Sequence, residues 1–277
     1  MHDQQFTLPG FQNKPICIDL LSNSLSPKPL VIFVHGFKGF KDWGTHHLVG
    51  EYFNAQGFNF LKFNFSHNGI SGNSGDLFND LEAFANNTFS KEISDLREII
   101  RFAVSGEKFE SPSHLFLVGH SLGGAISLIE ASNNEAVKGL ATWASIRNFH
   151  ELWPREKEEE WRKKGVLYFE NSRTKQQMPI YSSLLDDLAE NKQQLGVRKA
   201  AIELSKPWLI IHGDSDTSVP CEYAAVLHSY QVSSELLILP AADHVFNAKH
   251  PWNNSHLPEA LKQACDATIG FFKKHMP

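Results

Sequence analysis

Short apolar runs alternate along this chain with segments whose apolar residues recur every three or four positions. Apolar runs at 30–34, 114–118, 207–211 and 236–239 predict buried strands, and further strands are expected at 15–21, 58–65 and 140–144. Residues 91–104 carry apolar side chains at helical spacing, and helices are also expected near 45–56 and over 257–273. This alternation predicts an α/β fold, with a mostly parallel central sheet flanked by helices.

One stretch, residues 147–200, departs from this alternation. It contains the charged run 155–164, apolar segments at 166–170 and 178–181 around a turn-like 171–173, and a second helical pattern near 184–188. The order predicts a helix, a hairpin and a helix inserted between two core strands. We therefore expect a core formed by residues 1–146 and 201–277, and an inserted cap at 147–200. An insertion after such a strand lies beside the carboxyl ends of the sheet, where it can cover a ligand site.

Composition excludes several classes of function. The chain has 277 residues and a net charge of −5, without a long basic tract, so we expect no nucleic-acid partner. No apolar stretch approaches the roughly 18 residues of a membrane span, and the first residues lack the features of a secretory signal. The three cysteines, Cys17, Cys221 and Cys265, are widely spaced, which fits free thiols in a cytoplasmic protein and no zinc site.

The most informative motif is Gly-His-Ser-Leu-Gly at residues 119–123, which follows the strand at 114–118 and precedes a helical segment. A G-x-S-x-G sequence between a strand and a helix is typical of a nucleophile elbow, where a sharp turn exposes the serine hydroxyl. Ser121 is therefore the candidate nucleophile. A structural serine in an ordinary strand-to-helix turn is the alternative interpretation.

A nucleophilic serine needs a base, and the base needs an orienting acid; on this scaffold they follow the serine in the order acid, then histidine. Asp216 follows the strand at 207–211 and is the favoured acid, with Asp214 as the alternative. His244 is the first histidine after the last strand and the favoured base. His250 and His256 lie in a later Pro/Asn-rich loop and are expected at the surface, whereas Asp243 is expected to be a turn residue.

An oxyanion hole requires two N–H donors. The backbone N–H of Leu122, directly after the nucleophile, is one candidate. The other is the N–H of Phe37, in the loop that follows the strand at 30–34. Gly36 would let this loop approach the substrate closely, and His35 would hold the loop by hydrogen bonding.

The elbow, the His-Gly-Phe loop at 35–37, the Asp-x-x-Val-Pro sequence at 216–220 and the Asp-His pair at 243–244 resemble the α/β-hydrolase superfamily. Within it, the chain is similar to small feruloyl or cinnamoyl esterases and to hydrolases described as serine-aminopeptidase-like. The resemblance implies a serine esterase that acts on a small-molecule ester without a cofactor or metal. A peptidase, a thioesterase or a lysophospholipase remain alternatives, as does a non-catalytic binding protein on the same scaffold.

Overall fold

The computed structural model describes residues 2–22, 27–71, 77–171 and 173–276. Part of a glycine- and serine-rich loop expected at 66–76, after the strand predicted at 58–65, lies outside the described residues, as does the middle of the turn predicted at 171–173. Among those that are described, no helix combines the length and the apolar character needed to cross a bilayer.

In the described part of the chain, eight strands form one central sheet. They are β1 (His2–Pro9), β2 (Pro15–Ser22), β3 (Leu30–Val34), β4 (Asn59–Asn64), β5 (Leu115–His120), β6 (Val137–Trp143), β9 (Trp208–Gly213) and β10 (Glu235–Leu239). The strands β7 (Val166–Glu170) and β8 (Gln177–Tyr181) form a separate two-stranded sheet. The order across the sheet is β1-β2-β4-β3-β5-β6-β9-β10. The β1–β2 and β2–β4 pairs are antiparallel and every other pair of the sheet is parallel. The predicted mostly parallel sheet is confirmed.

Helices cover both faces of the sheet, which is why the central strands are apolar throughout. The helices are α1 (His46–Ala55), α2 (Leu81–Ala85), α3 (Phe89–Ser105), α4 (Leu122–Asn133), α5 (Glu158–Lys164), α6 (Ser183–Glu190), α7 (Val197–Glu203), α8 (Glu222–Tyr230) and α9 (Glu259–Lys274). One core cluster joins α1 and α9 to the sheet, and another lies under α3, α4, α7 and α8. In the first cluster Phe116 of β5 stacks on Phe272 of α9, with ring centroids 4.3 Å apart.

The chain between β6 and β9 contains two short 3₁₀ turns, helix α5, the antiparallel β7–β8 hairpin, helix α6 and helix α7. The helix, hairpin and helix occur in the predicted order. Trp161 is the buried side chain of α5, and its indole N–H donates to the Ile180 carbonyl at 2.8 Å, which ties the helix to the hairpin. The charged side chains of α5 are exposed or half-buried, as a solvated helix face requires.

The hairpin packs against the loop that follows β3. The rings of Phe169 and Phe37 meet edge to face with centroids 5.4 Å apart, and Lys38 Nζ donates to the Glu170 carbonyl at 3.1 Å. The inserted segment therefore borders the carboxyl edge of the parallel strands.

Candidate active site

Ser121 lies between the last residue of β5 and the first residue of α4, with φ 56° and ψ −120°. A non-glycine residue in this region costs on the order of 1–3 kcal/mol and persists only where its surroundings enforce it. Here the Ser121 N–H donates to the Trp143 carbonyl at 2.9 Å, and the Gly124 N–H donates to the Ser121 carbonyl at 3.0 Å. A Cβ at Gly119 would lie 2.5 Å from Ser127 Oγ, so the tight turn needs glycine there. Ser121 thus occupies a strained, well-supported strand-to-helix turn.

Asp216 lies three residues after the end of β9, and its carboxylate accepts four hydrogen bonds. The Ser218 and Val219 N–H groups donate to Oδ1 at 2.8 and 2.9 Å, whereas His212 Nε2 and His244 Nδ1 donate to Oδ2 at 3.1 and 2.7 Å. Burial alone would raise the pKa of this carboxyl. The hydrogen bonds from His212 and His244 outweigh burial and hold the pKa below its ordinary value.

The neighbouring aspartates have different surroundings. Asp214 is exposed, and its Oδ1 accepts hydrogen bonds from the Ala241 N–H at 2.7 Å and from Ser215 Oγ at 3.0 Å. Asp243 accepts from the Val245 and Asn247 N–H groups at 3.0 and 2.7 Å. Both carboxylates bridge backbone turns, and only Asp216 contacts His244.

His244 follows β10 and is half-buried. Because its Nδ1 donates to Asp216, the neutral ring carries its lone pair on Nε2. The backbone carbonyl of His244 accepts a hydrogen bond from His120 Nε2 at 2.8 Å, and the two rings lie 4.9 Å apart. His244 is therefore held at both its side chain and its backbone, and it lines the same pocket as Ser121.

The loop after β3 and the first residue of α4 bring two further backbone groups to this place. A Cβ at Gly36 would lie 3.0 Å from the Cβ of Ser121, so the loop passes very close to the serine. Within the ranges that the structure describes, neither the Phe37 N–H nor the Leu122 N–H has a hydrogen-bond acceptor. His35 donates from Nδ1 to the Gly36 carbonyl at 3.0 Å, and burial lowers its pKa to about 4.

His212 and His120 are site residues that sequence reasoning did not identify. His212 is fully buried and donates from Nε2 to Asp216 and also to the Val219 carbonyl at 3.0 Å. Burial lowers the pKa of His120 to about 3, so its ring stays neutral and keeps the N–H that bonds to His244. The sequence signals that could have identified them are the position of His120 inside Gly-His-Ser and the position of His212 at the start of His-Gly-Asp.

His250 is the one histidine whose predicted surface position is wrong. It is half-buried, its Nδ1 accepts a hydrogen bond from the Gly44 N–H at 2.7 Å, and its ring stacks on Trp43. The aromatic residues of the loop after β3 provide this partly apolar environment. His256 is exposed, as expected.

A pocket of about 150 Å³, which we call the inner pocket, opens over Ser121 and His244. Cavities of this size hold a benzene-sized group. Its walls are mainly aromatic and aliphatic, formed by Phe33, Phe37, Trp43, Val49, Trp143, Val245, Phe246 and Leu261. No aspartate or glutamate belongs to the described part of its lining. Among described residues, no group of three His, Cys, Asp or Glu side chains could hold a metal ion.

Comparison with known proteins agrees with this architecture. The family model described as serine aminopeptidase, S33, matches residues 25–194. No curated protein sequence matches the chain.

Solved structures share the fold at low sequence identity. Est1E from Butyrivibrio proteoclasticus superposes with a TM-score of 0.68 at 17% identity, over 98% of each chain. An esterase domain from a Rhodothermus marinus protein gives 0.68 at 19% identity, over 99% of each chain. A puromycin-hydrolyzing peptidase from Mycobacterium tuberculosis gives 0.69 at 15% identity, over 99% of this chain and 39% of that chain. The predicted α/β-hydrolase fold is confirmed.

Proposed function

We propose that this chain, which belongs to the serine aminopeptidase S33 family of α/β-hydrolases, cleaves carboxylic esters through an acyl-enzyme on Ser121. The observation that carries the proposal is the 2.7 Å hydrogen bond from His244 Nδ1 to Asp216 Oδ2, beside a strained serine in the same pocket. This is the geometry in which a histidine can accept the proton of an attacking hydroxyl.

In the proposed reaction, Ser121 Oγ attacks the ester carbonyl carbon while His244 Nε2 takes the hydroxyl proton. The carbonyl electron pair moves onto oxygen, which accepts hydrogen bonds from the Phe37 and Leu122 N–H groups. Asp216 keeps the His244 ring in the required tautomer and stabilises the imidazolium. When the carbon–oxygen ester bond breaks, the alcohol leaves with the proton from His244.

Water then attacks the acyl-enzyme by the same route, with His244 as base, and releases the acid and free Ser121. In this proposal residues 147–200 act as a cap that borders the pocket, because Phe169 of the cap packs against Phe37 of the pocket wall. We place the protein in the cytoplasm, on the sequence argument from its three cysteines. The substrate is a small-molecule ester, and no cofactor takes part.

The first experiment is rapid-mixing release of p-nitrophenol from short and medium p-nitrophenyl esters. We expect a burst of about one equivalent per chain, because these activated esters should acylate Ser121 faster than water hydrolyses the acyl-enzyme. Ser121→Ala should abolish the burst and lower turnover about 10⁴-fold or more. Ser132→Ala, on the helix that follows the nucleophile, is the matched control and should keep both. Retention of more than a few per cent of activity by Ser121→Ala would exclude Ser121 as nucleophile.

The acid is tested by a second matched pair, Asp216→Asn and Asp214→Asn. Loss of the Asp216 charge should lower turnover on the order of 10⁴-fold, because the histidine loses its tautomer control. Asp214→Asn should keep most activity, because that carboxylate bonds only to turn groups. The reverse ranking would assign the acid to Asp214.

A peptidase is the second candidate, favoured by the description of the matching family and by the peptidase of the same fold. An aminopeptidase needs an acidic group to bind the substrate's amino terminus, and the described lining of the inner pocket has none. Aminoacyl p-nitroanilides in the same assay distinguish the two. Faster cleavage of anilides than of esters would favour the peptidase, and thioester and lysophospholipid substrates extend the same series.

A further inference from the structure

A second cavity, which we call the outer pocket, adjoins the inner pocket and has a volume of about 390 Å³. The two pockets share Phe37, Lys38, Trp43 and Val245 as walls. A substrate whose carbonyl lies at Ser121 can therefore extend across Lys38 into the outer pocket without crossing the protein core.

The described lining of the outer pocket is rich in basic side chains, although the chain carries a net charge of −5. Lys38, Arg173 and Lys249 line it, and its described lining contains no aspartate or glutamate. A concave site with charges of one sign concentrates ligands of the opposite sign. Arg173 makes an interaction of its own, so Lys38 and Lys249 are the first indication that an anion binds there.

Lys38 provides the second indication. Its backbone has φ 56°, an uncommon conformation for lysine, and its ammonium group lies 5.7 Å from the centroid of the Phe37 ring. The ammonium donates to the Glu170 carbonyl, whereas the Glu170 carboxylate pairs with Lys175 at 3.1 Å. Among the residues described, no carboxylate lies within ion-pair distance of Lys38. Burial lowers the pKa of Lys38, and the charge of Glu170 opposes this shift without cancelling it. The ammonium has therefore lost hydration that no ion pair within the described ranges replaces.

We propose that the outer pocket binds a substrate carboxylate through Lys38, so that the preferred substrates are esters that also carry an anionic carboxylate, such as monoesters of dicarboxylic acids. This inference rests on the proposed esterase function, because Lys38 follows directly after the Phe37 N–H assigned to the oxyanion hole. One short loop would then bind the reacting carbonyl with its backbone and the remote carboxylate with the next side chain.

The test compares p-nitrophenyl adipate monoester with p-nitrophenyl hexanoate, which has the same number of acyl carbons and no charge. We expect kcat/KM to favour the anionic ester about tenfold or more in the wild-type protein. Lys38→Met should remove that preference. The control is Lys138→Met, because Lys138 also donates to a backbone carbonyl, that of Glu135 at 2.9 Å, but lies outside both pockets. It should retain the preference.

A second pair of esters places the carboxylate on the alcohol side, as carboxyphenyl butyrate against phenyl butyrate. A preference that depends on Lys38 in either pair supports the proposal and identifies the side that enters the outer pocket. Equal rates for charged and neutral esters in both pairs, or a preference that survives in Lys38→Met, would overturn it.

Calorimetric titration of the Ser121→Ala protein with the same esters separates this proposal from the esterase proposal. Tighter binding of the anionic ester, weakened by adding Lys38→Met, supports the outer pocket even if the wild-type protein hydrolyses neither ester. That combination would refute the esterase function alone. Equal binding of charged and neutral esters would refute the carboxylate site whatever the turnover.

Discussion

Replacement of Glu92 by glutamine should make the protein more resistant to alkaline pH. Glu92 lies on α3 with 4% of its surface exposed. Asn87 Nδ2 donates to one carboxyl oxygen at 2.7 Å, and the other oxygen is buried with no partner among the described residues. Burial raises the pKa of Glu92 to about 8, the Asn87 hydrogen bond opposes the rise, and the charges of Asp95 and Asp187 add to it.

The sign follows from proton binding. Between the ordinary pKa of 4.5 and the folded value of about 8, the folded chain holds a proton on Glu92 that the unfolded chain has released. The free energy of unfolding therefore falls as pH rises, by up to about 1.4 kcal/mol per pH unit. From pH 6 to pH 8 this loss is about 2 kcal/mol, since it levels off near the folded pKa. Glutamine keeps the shape of the side chain and stays neutral, so the free energy of unfolding of Glu92→Gln should not fall in this way between pH 6 and pH 8.

The measurement is thermal unfolding of both proteins at pH 6 and pH 8. For a chain of this size 1 kcal/mol corresponds to roughly 2 °C in Tm, so the Tm of Glu92→Gln relative to wild type should rise by about 4 °C between the two pH values. Glu98→Gln is the control, because Glu98 lies on the same helix but is half-exposed and paired with Arg101. If the wild-type and Glu92→Gln curves run parallel in pH, Glu92 is ionised in the folded protein and the reasoning is wrong.

The remaining predictions concern the active-site supports. His212→Phe removes one donor to the buried Asp216 carboxylate, and because a hydrogen bond to a charged group contributes about 1.5–3 kcal/mol, kcat should fall roughly 10- to 100-fold with little change in KM. His212→Gln, whose amide can still donate, should lose less in the same steady-state assay, and equal losses would argue against the hydrogen bond. Gly123→Ala would force a methyl group against the Val34 carbonyl and should lower Tm by several degrees. Gly270→Ala, where nothing lies within 4 Å of the new methyl group, should raise Tm through helix propensity instead, and a loss of Tm there would contradict the account.

The sequence predicted the central architecture because buried parallel strands are apolar on both faces. The strand expected at 30–34 is β3, Leu30–Val34, and all five of its residues are buried. The helix expected over 91–104 is α3, which begins two residues earlier, at Phe89 after the capping Thr88, and ends at Ser105 before Gly106 with φ 71°. Such patterns depend on local burial alone, so one sequence suffices to read them.

Elements with weak local patterns were not predicted. Helix α2 has five residues, and α8 buries only Ala224 and Leu227, so neither presents a continuous apolar stripe. The outer pocket also escaped prediction. Lys38, Arg173 and Lys249 come from three separate parts of the chain. They reach one cavity because the β7–β8 hairpin and the loop after β10 both pack against the loop after β3.

Hydrogen bonds between distant segments were equally inaccessible. His120 and His244 are 124 residues apart. The sequence does not indicate whether a histidine beside a serine faces solvent or hydrogen-bonds to another loop. The roles assigned to Ser121, Asp216 and His244 remain predictions until the variants are assayed. What the structure adds is that Asp216 hydrogen-bonds to His244 and His212, that the His120 ring lies near the His244 ring, and that Ser121 and His244 line the same pocket.

The backbone itself marks the same edge of the sheet. Among the described residues, six of the nine non-glycine positions with positive φ come after the ends of β3, β5, β6 and β10, whose chain directions are parallel: Lys38, Ser121, Ala144, Ala241, Phe246 and Asn247. Such conformations are unfavourable for L-residues and tend to occur where function, rather than local preference, determines the backbone. The strain at Ser121 would be explained by the need to expose a nucleophile. Lys38 has the same kind of backbone and lies where the inner and outer pockets meet. We infer that ligand binding has also determined its position. The comparison of charged and neutral esters in the wild-type and Lys38→Met proteins therefore tests the substrate class directly.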